Sequence, residues 1–206
     1  MSHRSMKAQQ MRLRLAQEAA QILLQSGNRD YYAAKHKAAA HLGAADTRNM
    51  PSNTEIEAAL REYQRLFHAD TQPAALRRLR EAALQAMQFF QDFRPRLVGS
   101  VLRGTADEHS PVTLHVFASV VEDINLFLLQ YGIPFEVGER RVRFQTERIQ
   151  TVPVYRFVAQ DTPIEMLVFP EDGPHQPPLS PLDSKPMQRA DIRALQRLLE
   201  EDPQSS

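Results

Sequence analysis

Residues 98–118 read VGSVLRGTADEHSPVTLHVFA. Leu97 and Val98 form a short apolar run that Gly99-Ser100 interrupts, so a short buried strand is expected to stop there. A second apolar run, Val112 to Phe117, follows a turn of small and polar residues and reads as a second strand. Before Pro95 the apolar residues recur at helical spacing, and after it they recur at strand spacing. That change of period decides the fold class. Helices come first, then a mixed sheet with one crossover helix, then a last helix: an α/β or α+β chain.

Upstream, Leu15, Ala19, Ile22 and Leu23 share one helical face, and Gly27-Asn28 makes a stop. Asp30 can cap a second helix that runs through Leu42 to Gly43, and 44–51 reads as a loop. Ser52 with Glu55 gives the S-x-x-E capping box of a third helix, whose apolar stripe is Ile56, Leu60, Tyr63 and Phe67. A fourth helix from about Gln72 to Phe90 turns Leu76, Leu79, Ala83, Leu84, Met87 and Phe90 inward. Downstream, Val120–Tyr131 reads as a helix. Arg140–Gln145, Val152–Val158 and Ile164–Phe169 read as strands, the last two joined by a hairpin with Thr162-Pro163 in its turn. The proline-rich stretch 173–186 is expected to be irregular. A final helix spans about Asp191–Leu199, and the tail is expected to fray. The segments are then 1–92 (helical), 93–172 (α/β core) and 173–206 (proline-rich segment and last helix).

The 206 residues suffice for a substantial core, and 42% hydrophobic with 24% charged residues is ordinary for a globular chain. There is no cysteine, which excludes disulfides and thiolate metal sites and fits a reducing, cytoplasmic setting. No apolar stretch approaches the length of a membrane span, and the basic start lacks the pattern of a secretory signal. Net charge is zero but uneven: residues 1–96 carry fifteen Lys and Arg against nine Asp and Glu, and the remainder ten against sixteen. The basic half permits a polyanion, although exposed arginines on helices produce the same count.

The segment Gly99-Ser100, then Arg103-Gly104-Thr105-Ala106, then Ser110, resembles the nucleotidyltransferase superfamily, which includes DNA polymerase beta. In that family an apolar strand, Gly-Ser, a short helical turn and a polar turn precede an acid–apolar–acid strand. The resemblance implies that Gly99, Ser100 and Arg103 meet the phosphates of a nucleoside triphosphate. It also implies that two carboxylates two residues apart hold magnesium ions. Those two positions are Pro111 and Thr113, and neither is an anionic ligand. Glu165, in TPIEMLVF, matches the third acid and is the candidate catalytic residue. Asp107 and Glu108 in the turn, and His115 on the side of the strand that Thr113 occupies, are weaker metal candidates; a neutral imidazole suits transition metals better than magnesium. One acid on the sheet is too few for a two-metal mechanism, so transfer activity is expected to be lost or reduced, with Mg2+ needed only if it survives. DYYAAKHKAAAHLG, PSNTEIEAALREYQRLF and PLSPLDSKPMQRA resemble parts of a bacterial group built on this fold, which implies one unit rather than a fusion.

Each feature has a plainer reading. Gly99-Ser100 also serves as a tight strand-to-helix turn, Glu165 as a surface acid, His115 as a satisfied sheet histidine, and Arg103 as an exposed cation. The second and third helices could imitate a helix-turn-helix with Arg29, Lys35 and Lys37 near phosphates. The linker is too long for that motif, and Glu55, Glu57 and Glu62 repel phosphate, so nucleic acid is not expected as a partner. The alternative function is a non-catalytic interaction module, whose N-terminal helices bind a protein partner or a second copy of the chain.

Overall fold

The computed structural model describes residues 3–27, 30–44, 49–145 and 148–201. Asn28, Arg29, residues 45–48 of the 44–51 loop and the end of the tail, about which the sequence raised expectations, lie outside the described residues. The class is α+β, with helices preceding a five-stranded mixed sheet. The chain divides into two compact units, 1–72 with Pro181–Asp183, and 73–180 with 184–206. The division falls between Gln72 and Pro73, whereas the expected segment boundary at residue 92 followed the change of period.

In the first unit, α1 (His3–Ser26), α2 (Tyr31–His41) and α3 (Asn53–Phe67) pack around Leu15, Ala19, Leu23, Ala38, Ile56 and Leu60. Alanines at Ala16, Ala20, Ala34 and Ala39 line the same core, and their small side chains let the helices approach closely. Asp30 caps α2 by accepting from the Ala33 N–H at 3.0 Å. Ser52 and Glu55 form the expected reciprocal box on α3. The buried face of α3 differs from the expected stripe: Glu57 and Gln64 join Ile56 and Leu60 inside, while Phe67 is 67% exposed. A 3.6-residue period permits both faces, and the Tyr31 hydroxyl, hydrogen-bonded to the buried Glu57 carboxylate, favours the polar one.

In the second unit, α4 (Gln72–Phe89) leads through a single 3₁₀ turn to β1 (Arg96–Val98) and α5 (Gly99–Arg103). Then come β2 (Val112–Phe117), α6 (Glu122–Gln130), β3 (Glu136–Arg143), β4 (Ile149–Ala159), β5 (Thr162–Phe169) and α7 (Ile192–Glu200). The strand order is β1-β2-β5-β4-β3, with β2 and β5 parallel at the centre and every other pair antiparallel. The expected strand at Arg140 starts earlier, at Glu136, because it pairs along its length with β4. Thr162-Pro163 opens β5 instead of forming the hairpin turn. The turn is Gln160-Asp161, both left-handed at φ 47° and 63°, the geometry of a two-residue type I′ connection.

One sheet face is the core. Val112, Leu114, Val116, Ile164, Met166 and Val168 lie there with Leu79, Met87 and Phe90 of α4, Ile124 and Leu128 of α6, and Leu195 of α7. Burying such side chains contributes about 1.5–3 kcal/mol each. Leu195 and Leu199 of α7, with Ala190 just before it, also lie in this core. Among the described residues no helix is long and apolar enough to cross a membrane.

Candidate functional site

Strand alternation sends Thr113, His115 and Phe117 to the face opposite that core. Val98 lies opposite Thr113, and Arg96 opposite His115, across β1 and β2. The parallel pairing of β2 with β5 puts Glu165 beside Thr113. Gly99 follows β1 with φ +77°, and a Cβ there would stand 3.6 Å from the Cβ and Oγ1 of Thr113. A left-handed turn against that side chain is readily made only by glycine. The sheet thus brings Gly99, Thr113 and Glu165 together.

Helix α5 is one turn long. The N–H groups of Gly104 and Thr105 both reach the Ser100 carbonyl, and Arg80 of α4 donates to the Val101 carbonyl at 3.3 Å. Ser100 is buried at the start of this turn and Arg103 half-buried at its end. Pro111 precedes β2, half-buried.

Glu165 is held by two arginines. Arg140 of β3 donates to its carboxylate at 2.9 and 3.2 Å, and Arg156 of β4 donates to Oε1 at 2.9 Å. Its side chain is 16% exposed. Arg156 lies across β3 at Gly138, where a Cβ would come within 2.7 Å of its Nη1. Charge-assisted bonds of this kind fix the carboxylate and neutralise it. The sequence reading missed both arginines. Arg156 pairs with Glu165 across the Gln160-Asp161 turn, whereas the expected turn at Thr162-Pro163 sets Gln160 opposite Glu165. Arg140 lies two strands away, beyond any local count.

The turn acids do not join Glu165. Asp107 closes its own turn, accepting from the His109 N–H at 3.0 Å and the Ser110 hydroxyl at 3.1 Å. Glu108 lines a cleft of about 360 Å³ with Arg78 and Glu81 of α4 and Asp161 of the hairpin turn. Among the described residues no three His, Cys, Asp or Glu side chains gather as a metal site would require. The donors beside Gly99 are a threonine hydroxyl and a carboxylate already shared by two guanidinium groups, which do not fit a two-magnesium clamp.

His115 is 1% exposed, packs against Phe169 with the rings tilted by 48° and their centroids 4.6 Å apart, and its Nδ1 has no hydrogen-bond partner. Burial, then the charges of Arg189 and Arg140, hold its pKa down to about 3, so the ring is neutral at physiological pH. Arg189 lies 5.7 Å over the Phe117 ring and donates to the Gly173 carbonyl. Its own pKa is lowered by burial and by the neighbouring charge of Arg96.

In the first unit a groove of about 1040 Å³ runs between α1 and α3, lined by Leu13, Tyr63, Leu66 and Phe67, with Arg12 and Glu55 paired at its side. Comparison with protein-family models, curated proteins and solved structures returns no match.

Proposed function

We propose that this chain is a nucleotidyltransferase-like protein that binds a nucleoside triphosphate at the Gly99-Ser100 turn and has lost most or all transfer activity. The observation that carries the reading is the adjacency of Gly99, Thr113 and Glu165 on one sheet face. A triphosphate laid against Gly99 passes Thr113 and reaches the arginines around Glu165. With Pro111 and Thr113 in place of acids, nothing there clamps two metal ions or activates an acceptor hydroxyl. Arginine supplies positive charge directly, so binding needs no magnesium. Mg2+ belongs to this reading only if transfer survives. The lack of cysteine goes with a cytoplasmic setting.

Calorimetric titration with ATP, GTP, CTP and UTP, with magnesium and with EDTA, tests the reading. Micromolar binding in EDTA that Gly99→Val abolishes is the expected result. Binding that needs magnesium would return the metal mechanism to consideration. No binding of any triphosphate would sink the proposal.

The second reading is an interaction module, favoured by the α1–α3 groove and its exposed Leu13, Leu66 and Phe67. Sedimentation of the native chain and of Leu13→Glu tests self-association through that face. A concentration-dependent dimer lost in the variant would support it.

A further inference from the structure

At the start of β5 the core of the second unit gives way to the cleft of about 360 Å³ between α4, the β4–β5 hairpin turn and the turn before β2. Arg78 and Glu81, three residues apart on one face of α4, line it from one side. Asp161 of the hairpin and Glu108 of the turn line it from the other. Strand alternation puts Thr162 on the sheet face of Ile164 and Met166, so its side chain points toward α4 and into the cleft. Thr162 is 7% exposed, and among the described residues nothing hydrogen-bonds its hydroxyl. A polar group buried to this degree normally has a partner, and this one opens on the cleft.

The charges around that hydroxyl are only partly matched. Glu81 is held by Arg77 at 3.0 Å, and Glu108 has an exposed contact with its neighbour His109 at 3.5 Å. Arg78 and Asp161 make no ion pair among the described residues. One guanidinium and two carboxylates are thus left to a ligand, in a volume of the size that small-molecule sites occupy.

We propose that this cleft binds a free basic amino acid. The planar Arg78 guanidinium pairs with the ligand carboxylate by two parallel bonds. Asp161 and Glu108 take the α-ammonium group and the cationic side chain, and the Thr162 hydroxyl accepts from the ammonium. The ligand's net positive charge matches the net negative charge of the three groups. A neutral amino acid leaves one carboxylate unmatched, and a polyamine sets its charge against Arg78. The inference does not rest on the nucleotide reading, because Glu165 lies on the opposite face of β5.

Calorimetric titration of the full chain with L-lysine and L-arginine tests the site, beside L-alanine and spermidine. Saturable binding of a basic amino acid is expected, at least tenfold tighter than L-alanine or spermidine. Asp161→Asn is the first variant, because asparagine suits the left-handed position of a two-residue hairpin turn and keeps the fold while removing the charge. It should lose tenfold or more in affinity. Arg78→Gln, on the exposed side of α4, should lose as much for L-lysine, yet bind lysine methyl ester, which lacks the carboxylate, as the native chain does. Thr162→Val keeps the shape of the side chain and should cost several-fold. Absence of saturable binding by either basic amino acid overturns the site, as does equal binding by the native chain and Asp161→Asn. Spermidine bound as tightly as L-lysine would reduce the cleft to an acidic surface and overturn it too. Lysine methyl ester bound by the native chain as tightly as L-lysine would remove Arg78 from the site and with it the amino-acid assignment.

Discussion

Replacing His115 with leucine should flatten the response of stability to acid. An imidazole in the unfolded chain takes a proton near 6.5, whereas in the folded chain burial and the charges of Arg189 and Arg140 hold it to about 3. Between those values the unfolded chain binds a proton that the folded chain refuses. Stability therefore falls as pH falls through this window and is fully retained above it. One proton corresponds to about 1.4 kcal/mol per pH unit, so the native chain loses about 2 kcal/mol from His115 between pH 6.5 and 5. Leucine takes up no proton in either state and forfeits no hydrogen bond at Nδ1. Urea unfolding of both proteins at pH 7, 6 and 5, followed by circular dichroism, measures the difference. The carboxylates common to both chains cancel in it. The gap should shift in favour of the variant by about 2 kcal/mol between pH 7 and 5. A gap that stays constant would mean that His115 titrates normally and is not enclosed by cations.

Three other outcomes follow from the same geometry. Glu165→Gln leaves Arg140 and Arg156 without their shared counter-charge; since both arginines are about 40% exposed, the loss should be about 1–2 kcal/mol and smaller in high salt, read from urea midpoints. Asp161→Gly relieves a left-handed residue in the β4–β5 hairpin and should raise stability by about 1 kcal/mol, seen as a higher melting temperature. Glu55, whose pKa the Arg12 hydrogen bond and the Ser52 cap lower from 4.5 to about 2, contributes stability that is complete above 4.5 and lost as pH falls toward 2. Both partners are 43% exposed, so Arg12→Ala should remove only part of this, about 0.5–1 kcal/mol, and make helicity less acid-sensitive in that window.

The sequence by itself determined what neighbouring residues can enforce. The capping box at Ser52, the Asp30 cap, the strand Val112–Phe117 and the turn at Gly99 all depend on contacts within a few positions. Alternation along β2 also put Thr113 and His115 on one face. Tertiary structure decided what depends on pairing partners. The buried face of α3 follows from Tyr31 meeting Glu57, although both faces satisfy the helical period. The early start of β3 follows from its ladder with β4. Glu165 was legible as an acid beside the Gly-Ser turn, but its state was not: Arg140 reaches it from two strands away. Charge at a site is a sum over space, and residues that meet only when the sheet is assembled leave no spacing in the chain that announces them.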